Sequence, residues 1–163
     1  MKKRFVLAFF VTAAAGSALH FAYDWLPVPL VGLFAPVNES VWEHLKLLFW
    51  PMLAAGFILC RKKPDQMRAW SGFLAALLLM PLGLLGIYYL LAAGFGVTAL
   101  WIDLALYYLT LAGGFYLAYA MEKSGRWSFL SGVMVLLVGL YGAALILFTL
   151  APPELPIFIA PGA

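Results

Sequence analysis

The residues of this chain that could carry chemistry are a small set of histidines and carboxylates in an otherwise apolar sequence. Neutral histidine and carboxylate groups are suitable ligands for zinc or a similar divalent ion. The candidate metal ligands are His20, Glu43, His44 and Asp103. Glu43 and Asp103 are also candidate catalytic bases for a metal-assisted or acid/base-assisted hydrolysis. The further candidates for ligand binding are Asn38, Glu39 and Ser40.

The spacing of these residues favours some combinations over others. His20 and Asp24 are four residues apart, which would put them on one face of a helix, and Glu39 and Glu43 have the same spacing. Glu43 and His44 are adjacent, so on a helix they point about 100° apart and do not easily bind the same ion. The sequence contains neither a His-Glu-x-x-His zinc motif nor a Gly-x-Ser-x-Gly nucleophile elbow. Any site must therefore be assembled from separate segments.

Composition identifies the class of protein that must position these residues. Of the 163 residues, 66% are hydrophobic and only 10% are charged, whereas a soluble domain carries about 25% charged residues. Apolar runs of about 20 residues, enough to cross a membrane, recur along the chain. We therefore expect an all-α, polytopic transmembrane helix bundle that forms a single domain over residues 1–163. The net charge of +3 does not indicate nucleic acid as a partner, because the basic residues lie in short segments between the apolar runs.

The apolar runs predict five membrane spans. These cover residues of about 5–23, 40–60, 70–93, 98–120 and 128–150. Residues 27–36 contain three prolines, which lack the N–H that a helix needs, so this segment should be an irregular connection. Ser40 and Glu43 fit a capping box, in which the serine oxygen accepts from the backbone amide of the glutamate and the glutamate side chain reaches back. The tail from Ala151 onward has four prolines and should not be helical.

The basic residues predict how the chain is oriented. Nine of the ten fall on one side of the predicted spans and only Lys46 falls on the other. The positive-inside rule then puts the amino terminus in the cytoplasm and the carboxyl terminus outside, with the candidate site at the outer leaflet of a bacterial plasma membrane. The amino-terminal segment also has features of a signal peptide, but its apolar run continues past Ser17, which favours an uncleaved span.

Each candidate residue also has a structural explanation. Glu43 could only close the capping box, and Glu39 could only favour the positive start of a helix. Lys46 either lies at the membrane interface or pairs with Glu43, three residues before it. His20 could hydrogen-bond Asp103 and tie the first span to the fourth. The sequence alone leaves these alternatives open.

Two polar segments form a distinctive signature. They are His20-Phe21-Ala22-Tyr23-Asp24-Trp25 and Pro36-Val37-Asn38-Glu39-Ser40-Val41-Trp42-Glu43-His44-Leu45-Lys46. Through these segments, around Asp103 and in the tail from Pro152 to Phe158, the chain resembles a family of small bacterial integral membrane proteins classed as a domain of unknown function. The resemblance implies five spans with an intact first helix. It brings no known activity, but it favours treating the signature residues as a unit.

Three kinds of function fit such a protein. The first is binding of a divalent metal such as zinc, or of a lipid-linked small molecule, with hydrolysis as the candidate reaction. The second is a non-enzymatic assembly role, in which the polar residues stabilise the bundle or dock another membrane protein. The third is transport of a cation or proton with Asp103 as the carrier. Transport ranks lowest, because no charged residue marks a path through the inner half of any predicted span. For each of these functions, the protein is expected to be embedded in a lipid bilayer.

Overall fold

A computed structural model describes residues 2–160, and this part of the chain is helical with no strand. The α-helices are α1 (Lys2–His20), α2 (Ala22–Trp25), α3 (Pro29–Gly32), α4 (Val41–Cys60), α5 (Gln66–Tyr89), α6 (Leu100–Ser124) and α7 (Ser131–Leu150). A π-helical turn at Leu90–Gly94 extends α5, and 3-10 turns lie at Ser128–Leu130 and Pro156–Phe158.

Four of the helical segments are long and apolar enough to cross a membrane, which indicates a membrane protein. They are Val41–Cys60, Gln66–Gly94, Leu100–Ser124 and Ser128–Leu150, and they correspond to the second to fifth predicted spans. The first predicted span corresponds to α1. Because the first turn of α1 contains Lys3 and Arg4 and the helix ends with His20, its apolar stretch is shorter, and its crossing of a membrane stays a prediction.

Local capping explains where the boundaries differ from those expected. The third span was expected from residue 70, but α5 begins at Gln66 because the Asp65 side chain accepts from the backbone N–H of Arg68, at 3.0 Å. The expected fourth span ends at residue 120, yet α6 continues through Ser124. It stops at Gly125, whose φ of +65° is a left-handed conformation that favours glycine.

The two segments expected to be non-helical each contain short helical turns. In the segment 27–36, α3 begins at Pro29. The N–H of the first helical residue has no partner within the helix, so proline at this position costs no hydrogen bond. In the tail, the turn Pro156–Phe158 folds back so that the Phe158 ring lies 4.9 Å from that of Trp42 on α4. Prolines are compatible with the first positions of such turns, so the expectation of wholly irregular segments was wrong.

The five long helices pack in a ring, in the order α1, α4, α7, α5, α6 and back to α1, with α4 also against α5. The most extensive contact joins α5 and α6. Gly72 makes this closeness possible, since a Cβ there would lie 2.4 Å from the backbone oxygen of Ala118. We call the end of the bundle with His20 and the start of α4 the polar end. The opposite end carries the Lys63–Glu122 ion pair.

Candidate functional site

Ser40 and Asn38 build the start of α4 at the polar end. Ser40 is the N-cap, with an extended backbone at φ −70° and ψ 151° and a side-chain oxygen that accepts from Glu43 N at 3.4 Å. This confirms the first half of the capping box. The second half is wrong, because the Ser40 N–H donates to Asn38 Oδ1 at 2.8 Å and not to Glu43. Both residues therefore have structural roles here, and their binding roles stay predictions.

Glu43 and Lys46 form a buried ion pair inside the bundle. Lys46 Nζ lies 2.6 Å from Glu43 Oε2, and the side chains are 0% and 3% exposed. Lys46 Nζ also donates to the backbone oxygens of Gly32, at 2.7 Å, and Ala35, at 3.2 Å. An ammonium group has three protons, so three acceptors satisfy it completely. The lysine thereby fixes the loop before α4 onto the helix.

Glu43 is satisfied from the other side as well. Its Oε2 accepts from the backbone N–H of Val37 at 3.0 Å, and its Oε1 accepts from the Thr149 hydroxyl on α7 at 2.8 Å, a proton that this hydroxyl shares with the carbonyl oxygen of Leu145, also at 2.8 Å. A buried carboxylate with three donors is well compensated. The structure thus gives Glu43 a structural set of partners, and it does not bring Glu43 to the histidines.

Three side chains with ligand atoms do meet at the polar end: His20 at the end of α1, Glu39 just before α4, and His44 in the first turn of α4. Glu39 Oε2 lies 3.4 Å from His44 Nε2, and Glu39 Oε1 lies 4.0 Å from His20 Nε2. The two imidazole rings are 5.2 Å apart. One ligand atom from each of the three residues lies within 4.8 Å of the others.

The backbone fixes the orientation of the His44 ring. His44 Nδ1 lies 2.8 Å from the carbonyl oxygen of Ser40, which can only accept, so Nδ1 carries the proton. In the neutral imidazole, Nε2 then carries the lone pair, and this atom faces Glu39. A histidine ligand usually donates its other ring N–H to a carbonyl or carboxylate in this way. His44 is therefore held in the tautomer that a metal requires.

His20 and Asp103 complete the surroundings of this cluster. His20 Nδ1 is buried and has no hydrogen-bond partner within residues 2–160. Asp103, in the first turn of α6, is exposed and lies within electrostatic reach of His44. The expected hydrogen bond between His20 and Asp103 does not occur among the described residues, since His20 Nε2 faces Glu39 instead. Asp103 is not one of the three residues whose ligand atoms meet.

The cluster has the composition of a two-histidine, one-carboxylate metal site. Ligands of a tetrahedral zinc, about 2.0–2.2 Å from the ion, are separated from one another by roughly 3.4 Å. The 3.4 Å between His44 Nε2 and Glu39 Oε2 matches this separation. His20 Nε2 lies 4.0 Å from the other carboxylate oxygen, Oε1, and with one ligand atom per residue the three lie within 4.8 Å of one another. The Glu39 side chain is 69% exposed, so it would be free to adjust around an ion.

Some residues that shape this end of the bundle have other roles than the sequence predicted, and one was not predicted at all. Glu39 was expected only as a binding residue, and it replaces Glu43 beside the histidines. Glu39 and Glu43 were expected to share a helix face, which is wrong, because the helix begins after Ser40 and the extended Ser40 backbone separates them. Thr149, more than a hundred residues from its partner Glu43, gave no sequence signal. The Glu43–Lys46 pair did give one, in its spacing.

A family model matches residues 1–161 of the chain, and its description is a family of unknown function, DUF6512. This confirms the resemblance to a family without an assigned function. No curated protein and no solved structure matches the chain. Since the match covers nearly the whole length of the sequence, the chain belongs to the DUF6512 family.

Proposed function

We propose that this chain binds a divalent metal ion, zinc or one of similar preference, through His20, Glu39 and His44, and that the site hydrolyses a lipid-linked substrate at the outer surface of a bacterial plasma membrane. The observation that carries the proposal is the meeting of three ligand atoms within 4.8 Å from two helices and a loop. Two histidines and one glutamate, with an open fourth position, are the ligand set of several hydrolytic zinc sites.

The exposure of the cluster favours a catalytic metal site, which a substrate can reach, and not a structural site enclosed by protein. The His20 and His44 side chains are 28% and 33% exposed, so a substrate could reach an ion held there. A metal bound with an open position supplies Lewis acidity and an activated water. Because three donors occupy Glu43, the role of base passes to Asp103, the nearby exposed carboxylate. We therefore no longer propose Glu43 as metal ligand or base.

Metal binding is tested first, on protein purified in mild detergent, stripped with a chelator and reloaded with zinc. The wild type should hold one zinc ion per chain by elemental analysis, and His44→Ala and Glu39→Gln should hold none. Asp24→Asn, which removes an exposed carboxylate from the same region, is the matched control and should bind like the wild type. A folded wild type without zinc, or a Glu39→Gln variant that still binds it, would reject the site.

Hydrolysis is tested separately on the zinc-loaded protein with phospholipids and lipid-linked phosphates as substrates. Asp103→Asn should keep its zinc and lose hydrolysis, since the change removes a base without removing a proposed ligand. Glu154→Gln, a carboxylate change in the exposed tail, should leave the rate unchanged. Hydrolysis that persists in Asp103→Ala at the wild-type rate would contradict the role of Asp103.

A non-enzymatic role in assembly is the second candidate, and one observation favours it. The cluster joins the end of α1 to the start of α4 across the Pro-rich segment, so a metal there could stabilise the bundle for a partner. Zinc binding that raises stability without any lipid hydrolysis would support this alternative. Cation transport through Asp103 has less support, because Asp103 is exposed on α6, whereas a carrier residue is expected in the bundle interior.

A further inference from the structure

An apolar groove of about 580 Å³ runs between α5 and α6, beginning at the polar end of the bundle. At its mouth are Leu91 from the end of the α5 segment and Trp101 and Ile102 from the start of α6, and its far end is lined by Leu79 and Leu117. Ile102 immediately precedes Asp103. The groove thus starts at the polar end and leads into the apolar part of the bundle.

The groove lies on two membrane-length helices and is longer than one leaflet of hydrocarbon is thick. Both helices that form it are long and apolar enough to cross a membrane. From Ile102 to Leu117 the groove follows α6 for about 22 Å, at 1.5 Å per residue, whereas one leaflet has roughly 15 Å of hydrocarbon. Thr110 is the polar residue among its lining side chains. A ligand in this groove must therefore be a long apolar chain.

Two glycines widen the groove, and a backbone contact limits it. A Cβ at Gly83 or Gly113 would meet nothing within 4 Å, so both positions leave open space in the lining. Beyond the far end, Gly72 and Ala118 bring the two backbones together. The groove therefore ends where the two helices touch.

We infer that the groove holds an acyl chain of a membrane lipid, with the lipid headgroup at Asp103 beside the His20, Glu39 and His44 cluster. The inference rests on the proposed function for the headgroup and names the substrate class of that site: a lipid with a long hydrocarbon chain. An acyl chain bound in the groove would fix the depth at which the lipid headgroup lies. It would thereby hold the bond to be hydrolysed close to the site.

The test uses the full chain in nanodiscs with a phosphatidylglycerol that carries a photoreactive diazirine in its acyl chain. In the wild type, crosslinks mapped by mass spectrometry should concentrate on groove residues such as Leu109 and Leu117. Gly83→Leu and Gly113→Leu fill open space and should lower these crosslinks about tenfold, the change that 1.4 kcal/mol of lost binding produces. Gly86→Leu is the matched control, because a Cβ there also meets nothing within 4 Å but Gly86 does not line the groove.

Zinc content measured on the same samples separates this inference from the proposed function. Gly113→Leu should keep its zinc, and His44→Ala should keep the groove crosslinks. Crosslinks that persist while no variant or wild type binds zinc would reject the metal site and leave the groove assignment standing. Equal crosslinking of the Gly86 and Gly113 variants would overturn the groove assignment. The groove assignment would also be overturned if the wild type showed no groove crosslinks and formed a dimer, and Gly113→Leu converted that dimer to a monomer.

Discussion

Glu43 and Lys46, three residues apart on α4, form an ion pair with a 2.6 Å contact and almost no exposure. The neighbouring residues Glu39 and His44 face out of the bundle toward His20. The polar signature therefore has two parts with different tasks. The inner pair holds the segment before α4 and the end of α7 in place, and the outer residues form the candidate site on that support.

Lys46→Met should destabilise the protein strongly. The substitution leaves the Glu43 carboxylate buried without its cation, and it removes the donor to the Gly32 and Ala35 carbonyl oxygens. Loss of one partner of a buried pair costs about 3–5 kcal/mol. The free energy of unfolding in mixed micelles, from a denaturant titration, measures the effect. The double variant Glu43→Leu, Lys46→Met should recover part of the loss. A cost of Lys46→Met below roughly 1 kcal/mol would show that the pair contributes no more than a surface pair.

Thr149→Val should weaken the attachment of α7 to α4 without affecting zinc. The change keeps the shape of the side chain and removes the hydroxyl that donates to Glu43 Oε1 at 2.8 Å. A buried acceptor that loses its donor costs about 1–3 kcal/mol. Denaturant titration measures the loss, and elemental analysis should still find zinc. If Thr149→Val unfolds at the same denaturant concentration as the wild type, the contact is not stabilising.

Zinc should raise the stability of the bundle, because the proposed ligands come from α1 and from the start of α4. At a free zinc concentration one hundred times the dissociation constant, the gain is about 2.7 kcal/mol for one site. His20→Ala should lose this gain while its zinc-free stability stays near that of the wild type. Thermal melts with zinc and with a chelator make the comparison. If zinc raised the stability of His20→Ala by a similar amount, His20 and therefore α1 would not contribute to the site.

Gly72→Ala should destabilise the contact between α5 and α6. The added Cβ would lie 2.4 Å from the Ala118 backbone oxygen and 2.8 Å from its Cα, and backbone atoms cannot move aside as a side chain can. Overpacking of this kind costs about 1–3 kcal/mol. Gly86→Ala on the same helix meets no atom within 4 Å, so its better helix propensity should make it neutral or slightly stabilising. Equal unfolding midpoints for the two variants would contradict the close packing.

Reporter fusions should place the two termini on opposite sides of the membrane. Five spans give this result, with the amino terminus in the cytoplasm, whereas the four segments that are clearly long and apolar enough would leave both termini on one side if α1 does not cross. A reporter active only outside the cytoplasm should therefore work at the carboxyl terminus and fail at the amino terminus. Reporter activity at both termini would show that α1 does not cross the membrane.

The helical membrane class and the N-cap at Ser40 could both be predicted from the amino-acid sequence. Hydropathy and capping are local properties, and they can be read from neighbouring residues. The pairing of Glu43 with Lys46 was one of two alternatives that the spacing allowed, since residues three apart on a helix are neighbours, and the structure shows that the pair forms. Local rules failed where the segment 27–36 and the tail form short turns, because proline excludes the middle of a helix but not its start.

Which carboxylate meets the histidines depends on the packing of the whole bundle. Glu39 and Glu43 have equivalent chemistry and helical spacing, but the chain is extended at Ser40, so Glu39 turns toward His20 while Glu43 enters the interior. The partners that hold Glu43 there, Val37 and Thr149, come from a loop and from a distant helix. Hydropathy does not encode how helices are arranged around a bundle, and that arrangement separates the supporting carboxylate from the candidate ligand.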